Sequence, residues 1–153
     1  MSVDERMVHD IVQKVVANMQ ISGEVTGMHG VFKDMNEAIN ASIEAQKKVQ
    51  VMSLDQREKI ITNIRRKTRE NAELLANMGV NETGMGNVGD KILKHHLTAD
   101  KTPGTEMITT TAWSGDRGLT LVEMGPFGVI GAITPATNPS ETVICNSIGM
   151  LAG

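Results

Sequence analysis

A chain of 153 residues, 40% of them hydrophobic, suits one domain with an ordinary core, and a net charge of −3 with a pI near 5.8 supplies no basic field for nucleic acid. Two Phe, one Trp and no Tyr leave little surface on which bases or sugars could stack, while a single Cys excludes an internal disulfide and fits a reducing cytosol. No apolar run approaches ~20 residues, so no membrane span is expected, and the first residues lack the continuous apolar stretch of a secretory signal.

Ser2-Val-Asp-Glu5 is a capping box, a hydroxyl at the N-cap with a carboxylate three residues on. Val3, Met7, Val8, Ile11, Val12, Val15, Val16 and Met19 then recur at helical spacing, with Glu5, Arg6, Asp10, Gln13, Lys14 and Asn18 opposite. The pattern predicts an amphipathic helix over residues 1–19, followed by a glycine-containing linker over 20–30. A helix this short on a linker cannot bury its own stripe. It either docks on a partner or folds back on the chain's own core, and the pattern leaves both open. Few basic residues and no aromatic anchor argue against a membrane-surface helix.

Residues 31–104 read as helical. Asp34-Met-Asn-Glu37 starts a helix running to about Val51, with Ala38, Ile39, Ala41, Ile43, Ala45 and Val49 as its buried positions. Ser53-Leu-Asp-Gln56 caps the next, expected to stop near Gly79, with Leu54, Ile60, Ile61, Ile64, Leu74, Leu75 and Met78 as its apolar side. Arg65-Arg-Lys-Thr-Arg69 is a basic cluster on this helix. Glu58, Glu70 and Glu73 flank it, which favours a salt-bridged, solvated face over a phosphate site. Another helix covers about Val88 to Ala99, closed by Thr102-Pro-Gly104.

After Pro103 the chain changes character. Met107 to Trp113 and Leu119 to Met124 read as strands around the turn cluster Ser114-Gly-Asp-Arg-Gly118, giving an antiparallel hairpin within residues 105–124. Neither strand has a one-sided apolar pattern, so the hairpin needs another sheet or subunit for stability. Residues 125–153 read as a tight turn, a short buried strand, a rigid polar loop and an apolar helix from Glu141 to Leu151. A strand end feeding a helix start is where open α/β sheets place ligands.

Gly84-Met-Gly-Asn-Val-Gly89 matches G-x-G-x-x-G, but a dinucleotide fingerprint needs a strand before it. A helix precedes it here, so a turn between two helices is the preferred reading. Cys145 lies early in the last helix, where a thiol can be activated, yet its apolar neighbours favour a buried structural role. His9, His29, His95 and His96 lack ligand spacing, and no metal site is expected. Pro135 and Pro139 stiffen the backbone on either side of Asn138. A fixed carboxamide can donate to an oxyanion developing on a carbonyl substrate. Equally, Asn138 could cap the helix that follows, as could Ser140.

Asn81-Glu-Thr-Gly-Met-Gly-Asn87, Thr109-Thr-Thr-Ala112, Gly125-Pro-Phe-Gly-Val-Ile-Gly131 and Thr134-Pro-Ala-Thr-Asn-Pro-Ser-Glu-Thr142 together resemble the N-terminal part of CoA-acylating aldehyde dehydrogenases. The branch they look most like is the acetaldehyde and propionaldehyde dehydrogenases of bacterial microcompartments. The likeness runs from about Val31 to Gly153. It implies an α/β, aldehyde-dehydrogenase-like fold: a helical part of the NAD-binding domain over 31–104, an oligomerisation hairpin over 105–124, and the first strand and helix of the nucleotide-binding sheet over 125–153.

The resemblance also implies a reaction. A cysteine thiolate attacks a short-chain aldehyde, hydride passes to NAD⁺, and coenzyme A takes the acyl group. Asn138 matches the family's oxyanion-stabilising asparagine, and Ile133, Thr134, Pro135, Ala136 and Thr137 match the loop lying against the nicotinamide end of NAD. The family's nucleophile falls downstream of Gly153 and Cys145 does not match it, so these residues by themselves are expected to be inactive. Residues Ser2 to Met19 are similar to the family's encapsulation peptides, which bind shell protein and direct cargo into the microcompartment lumen within the cytoplasm. A homo-oligomer is expected for the intact enzyme. Two other readings stand beside this one: a non-catalytic interaction protein docking through Ser2 to Met19, and a nucleotide-binding module using Gly84 to Gly89.

Overall fold

A computed structural model describes residues 30–153; the helix and linker expected before Gly30 lie outside the described residues. The chain divides into units 1–42 and 43–153. Of the first unit, residues 30–42 are described, and they contain the start of helix α1, Met35–Gln50. Asp34 caps α1: its Oδ1 accepts from the backbone N–H groups of Asn36 and Glu37 at 2.9 and 3.1 Å. The expected buried positions of α1 are not buried. Ala38, Ala41 and Val49 are half-buried, while Ile39, Ile43 and Ala45 are exposed. Periodicity marks which side of a helix is apolar and leaves open how completely a neighbour covers it.

In the second unit, α2 spans Leu54–Glu70 and opens with the expected capping box. The Gln56 N–H donates to Ser53 Oγ, and the Ser53 N–H donates to Gln56 Oε1. The single helix expected from here to Gly79 is in fact two. At Asn71 the backbone leaves helical geometry (φ −112°, ψ 12°), and both its N–H and its side-chain Nδ2 donate to the Lys67 carbonyl. A short amide side chain that satisfies a backbone acceptor itself competes with the helix ladder. The chain then resumes as α3, Ala72–Thr83. Termination comes at Gly84 in the left-handed region (φ 66°), and Gly79 is buried within α3. Helix α4 follows at Val88–Lys101, with Asn87 Oδ1 accepting from the Asp90 N–H at its start. The G-x-G-x-x-G segment is therefore a turn between two helices.

The buried face of α3 is Ala72, Ala76 and Gly79, while Leu74 and Met78 point outward. Small residues let α3 approach α4 closely, and shape prevails over hydrophobicity along this contact. The core is centred on Ile61 of α2 with Ile148 and Ala152 of α5, the C-terminal helix Pro139–Ala152, flanked by Ile64, Ile108, Ile144 and Leu151. The basic cluster of α2 is salt-bridged on the surface, as its composition suggested. Arg66 and Lys67 meet Glu70, Arg69 meets Asp100, and Arg65 meets Glu106 while donating to the Thr102 carbonyl.

A 3-10 turn, Thr105–Met107, leads to the antiparallel hairpin β1 (Thr111–Gly115) and β2 (Gly118–Val122). Trp113 pairs with Thr120 and Ala112 with Leu121, and every residue of both strands is exposed. The buried strand expected after Gly125 is not formed: residues 125–137 carry no strand, and Phe127 and Ile133 are 94% and 96% exposed. A strand exists only when a neighbour takes its backbone hydrogen bonds, and among the described residues the hairpin pairs only with itself. Helix α5 forms without that strand, with Pro139 at its first turn, where a missing N–H costs nothing.

Candidate active site

The site is built where the start of α5 meets one face of α4. Lys91, Lys94 and His95 are three and four residues apart on α4, which places them together on one side of the helix. Lys91 and His95 are 5% and 0% exposed, so two polar side chains occupy positions that an amphipathic helix normally gives to apolar ones. Both find a polar partner in the segment 137–141. Lys91 Nζ donates to the Thr137 carbonyl at 2.5 Å and lies 3.5 Å from Glu141 Oε1. His95 Nδ1 faces the Lys91 carbonyl at 2.7 Å; a carbonyl only accepts, so this nitrogen carries the proton. His95 Nε2 meets the Ser140 hydroxyl at 2.8 Å, and Ser140 Oγ lies 3.2 Å from Glu141 Oε2.

Glu141 is itself 5% exposed. Burial pushes its carboxyl up, but its own backbone N–H, the charges of His95 and Lys91, and the Ser140 hydroxyl together outweigh that and hold it below the ordinary value. A buried carboxylate and a buried ammonium thus fasten the loop's last turn to α4.

Above this network sits Asn138, half-buried at the N-cap position of α5. Its side chain makes no capping bond, which removes the helix-cap reading. Ser140 does not cap either, because its hydroxyl faces His95 and Glu141. Asn138 Oδ1 accepts from Lys94 Nζ at 2.7 Å, and Nδ2 reaches Thr137 Oγ1 only at 3.4 Å. The carboxamide oxygen is engaged and its N–H₂ has donor capacity to spare.

Ile133, Thr134, Pro135, Ala136 and Thr137 precede it as an exposed segment with a turn at Ala136–Thr137. It presents one large apolar side chain, small hydroxyls and no acidic group. Lys91, Lys94 and Glu141 were missed in the sequence, Ser140 was weighed only as a helix cap, and His95 only as a metal ligand. The available signal was a run of three polar residues at i, i+3 and i+4 facing a helix start.

Cys145, expected to be buried, is exposed. The stripe that α5 buries is Glu141, Ile148 and Ala152, and Cys145 sits on its rim. It lies seven residues beyond Asn138, about 10 Å along a helix axis, too far for its sulfur to share a reacting atom with that carboxamide.

Residues 9–153 match the family model described as "Aldehyde dehydrogenase family". An acetylating acetaldehyde dehydrogenase of Bilophila wadsworthia is 42% identical, covering 97% of this chain and 32% of the relative. A propionaldehyde dehydrogenase from the Clostridium phytofermentans fucose utilisation bacterial microcompartment is 78% identical with a TM-score of 0.78, over 81% of this chain and 28% of that one. A Rhodopseudomonas palustris propionaldehyde dehydrogenase solved with bound propionyl-CoA is 47% identical with a TM-score of 0.76, over 85% and 30%. The chain spans about a third of the length of these relatives.

Proposed function

The chain belongs to the aldehyde dehydrogenase family, and from that premise we propose that it is the N-terminal part of an acylating enzyme converting a short-chain aldehyde, NAD⁺ and coenzyme A to acyl-CoA and NADH. Asn138 carries the reading. Its oxygen is held by Lys94 and its N–H₂ makes only a long contact with Thr137 Oγ1, which leaves a donor for a carbonyl oxygen. Thiolate attack on the aldehyde puts negative charge on that oxygen. A preorganised amide donor favours the charged state over the ground state, the condition for raising kcat.

The thiolate comes from the longer polypeptide, since Cys145 is badly placed. Ile133 to Thr137 offer the surface for the nicotinamide ring, with Ile133 as the apolar contact. Bound NAD⁺ supplies the hydride acceptor. Lys91, by holding the Thr137 carbonyl, keeps this segment from shifting away from the ring. Residues 31–104 serve as the helical part of the NAD-binding domain, and 125–153 as the start of its sheet.

The hairpin of residues 105–124 has apolar side chains on both faces, Trp113 and Val122 on one and Leu119 and Leu121 on the other. This supports its role as the piece that joins subunits, where a neighbouring sheet would cover it. Residues 1–19, with 20–30 as linker, serve to bind shell protein and bring the enzyme into a microcompartment. The amphipathic pattern supports this, as does the microcompartment origin of the Clostridium relative.

The test is Asn138→Ala in the longer polypeptide. Loss of one oxyanion donor lowers kcat by about 10²–10³, with the NAD⁺ KM little changed. An Asn138→Ala enzyme with parental kcat overturns the assignment.

A further inference from the structure

We propose that Lys94 is a positioning residue that sets which way the Asn138 carboxamide faces. The inference rests on the reading of Asn138 as oxyanion donor and adds how that donor is oriented.

A terminal amide is nearly symmetric in shape, and its last torsion has two broad, almost equivalent wells. In one, the N–H₂ points toward the substrate side. In the other the oxygen does, and an oxygen there repels a developing oxyanion. Backbone stiffness does not choose between them: Pro139 and the Lys91–Thr137 bond fix the main chain and leave the amide free to turn. Lys94 Nζ lies 2.7 Å from Asn138 Oδ1, one of the two ends the amide could present. An ammonium has three donors and no acceptor, so only the oxygen can occupy that place. Turning the amide over would set N–H₂ against NH₃⁺ and lose a charge-assisted bond. The correct face is therefore selected by chemistry and not by shape.

The same contact has a second effect. A cation on the amide oxygen draws electron density from the nitrogen, so its N–H groups become better donors. Placement supports the assignment. Lys94 and Lys91 are one helical turn apart on α4, and they hold adjacent residues of the loop, one by its backbone and one by its side chain. Lys94 is exposed, unlike Lys91, so the fold does not need it as core.

Four variants of the longer polypeptide test this: Lys94→Met, Lys94→Arg, Asn138→Ala and the Lys94→Met/Asn138→Ala double. Lys94→Met is expected to lower kcat by about 10–100-fold, the scale of a misplaced catalytic group, with the NAD⁺ KM unchanged. Lys94→Arg recovers most of the rate, because a guanidinium also only donates. In the double variant Lys94→Met adds nothing, because no amide remains to be oriented. If Asn138→Ala is slow while Lys94→Met matches the parent, or if the two losses multiply, the positioning role is overturned and the oxyanion reading survives. If Asn138→Ala itself matches the parent, the underlying reading fails. Side-chain amide NMR of the 153-residue chain gives an independent check. The Asn138 N–H₂ resonances shift in Lys94→Met and stay near the parent in Lys94→Arg; identical resonances in all three overturn the inference.

Discussion

Replacing Lys91 by Met removes one buried charge and strands the other. Lys91 and Glu141 are each 5% exposed, and their charged atoms are 3.5 Å apart. At an effective dielectric of about 20, unit charges at that spacing attract by about 5 kcal/mol. Loss of one member of such a pair typically destabilises by about 3–5 kcal/mol, because the remaining ion keeps its desolvation cost. The Thr137 carbonyl loses its 2.5 Å donor in the same change. Stability of an ordinary domain is only about 5–15 kcal/mol, so Lys91→Met is expected to lose a large share of it while still unfolding measurably in urea. Lys91→Met with Glu141→Leu removes both charges and should return to within about 2 kcal/mol of the parent. Urea unfolding of the 153-residue chain, followed by far-UV circular dichroism and linear extrapolation, measures all three. The reasoning is refuted if Lys91→Met lies within about 0.5 kcal/mol of the parent, or if the double variant is less stable than the single one.

Glu141 adds a pH dependence of known sign. Its carboxyl is held below the ordinary 4.5, so its stabilising contribution is complete above that value and fades as pH falls through the lower folded one. Glu141→Gln should flatten this acid limb in unfolding curves; an unchanged limb would assign it to other carboxylates. Gly84→Ala should cost about 1 kcal/mol, because φ is +66° there, and leave NAD⁺ affinity of the longer polypeptide intact. Lost affinity would restore the glycine turn as a phosphate site. Deletion of residues 1–20 from the longer polypeptide should remove it from purified microcompartments at unchanged specific activity. Continued co-purification would end the targeting proposal.

Local chemistry was legible along the chain. The cap at Asp34, the capping box at Ser53 and Gln56, the hairpin turn and the helix-to-helix nature of Gly84–Gly89 all depend on residues a few positions apart. Four family motifs in order also pointed to the fold. The break at Asn71 was missed because an unbroken apolar period does not reveal that a side-chain amide will take a backbone acceptor.

What sequence could not supply was contact across distance. Lys94 and Asn138 are 44 residues apart, Lys91 and Thr137 are 46, and His95 and Ser140 are 45. No short-range pattern encodes that the face of α4 bearing Lys91, Lys94 and His95 will lie beside a proline-braced loop. The same limit explains residues 125–137, within which the sequence suggests a short buried strand while backbone pairing must come from another segment. The sequence by itself determined where the capped helices and the turns begin and where apolar residues recur along them, because capping, torsional preference and periodicity act within one turn. Tertiary packing decided which faces are truly covered, which amide orientation prevails and which charges are buried together, because desolvation and hydrogen-bond complementarity exist only once distant segments meet.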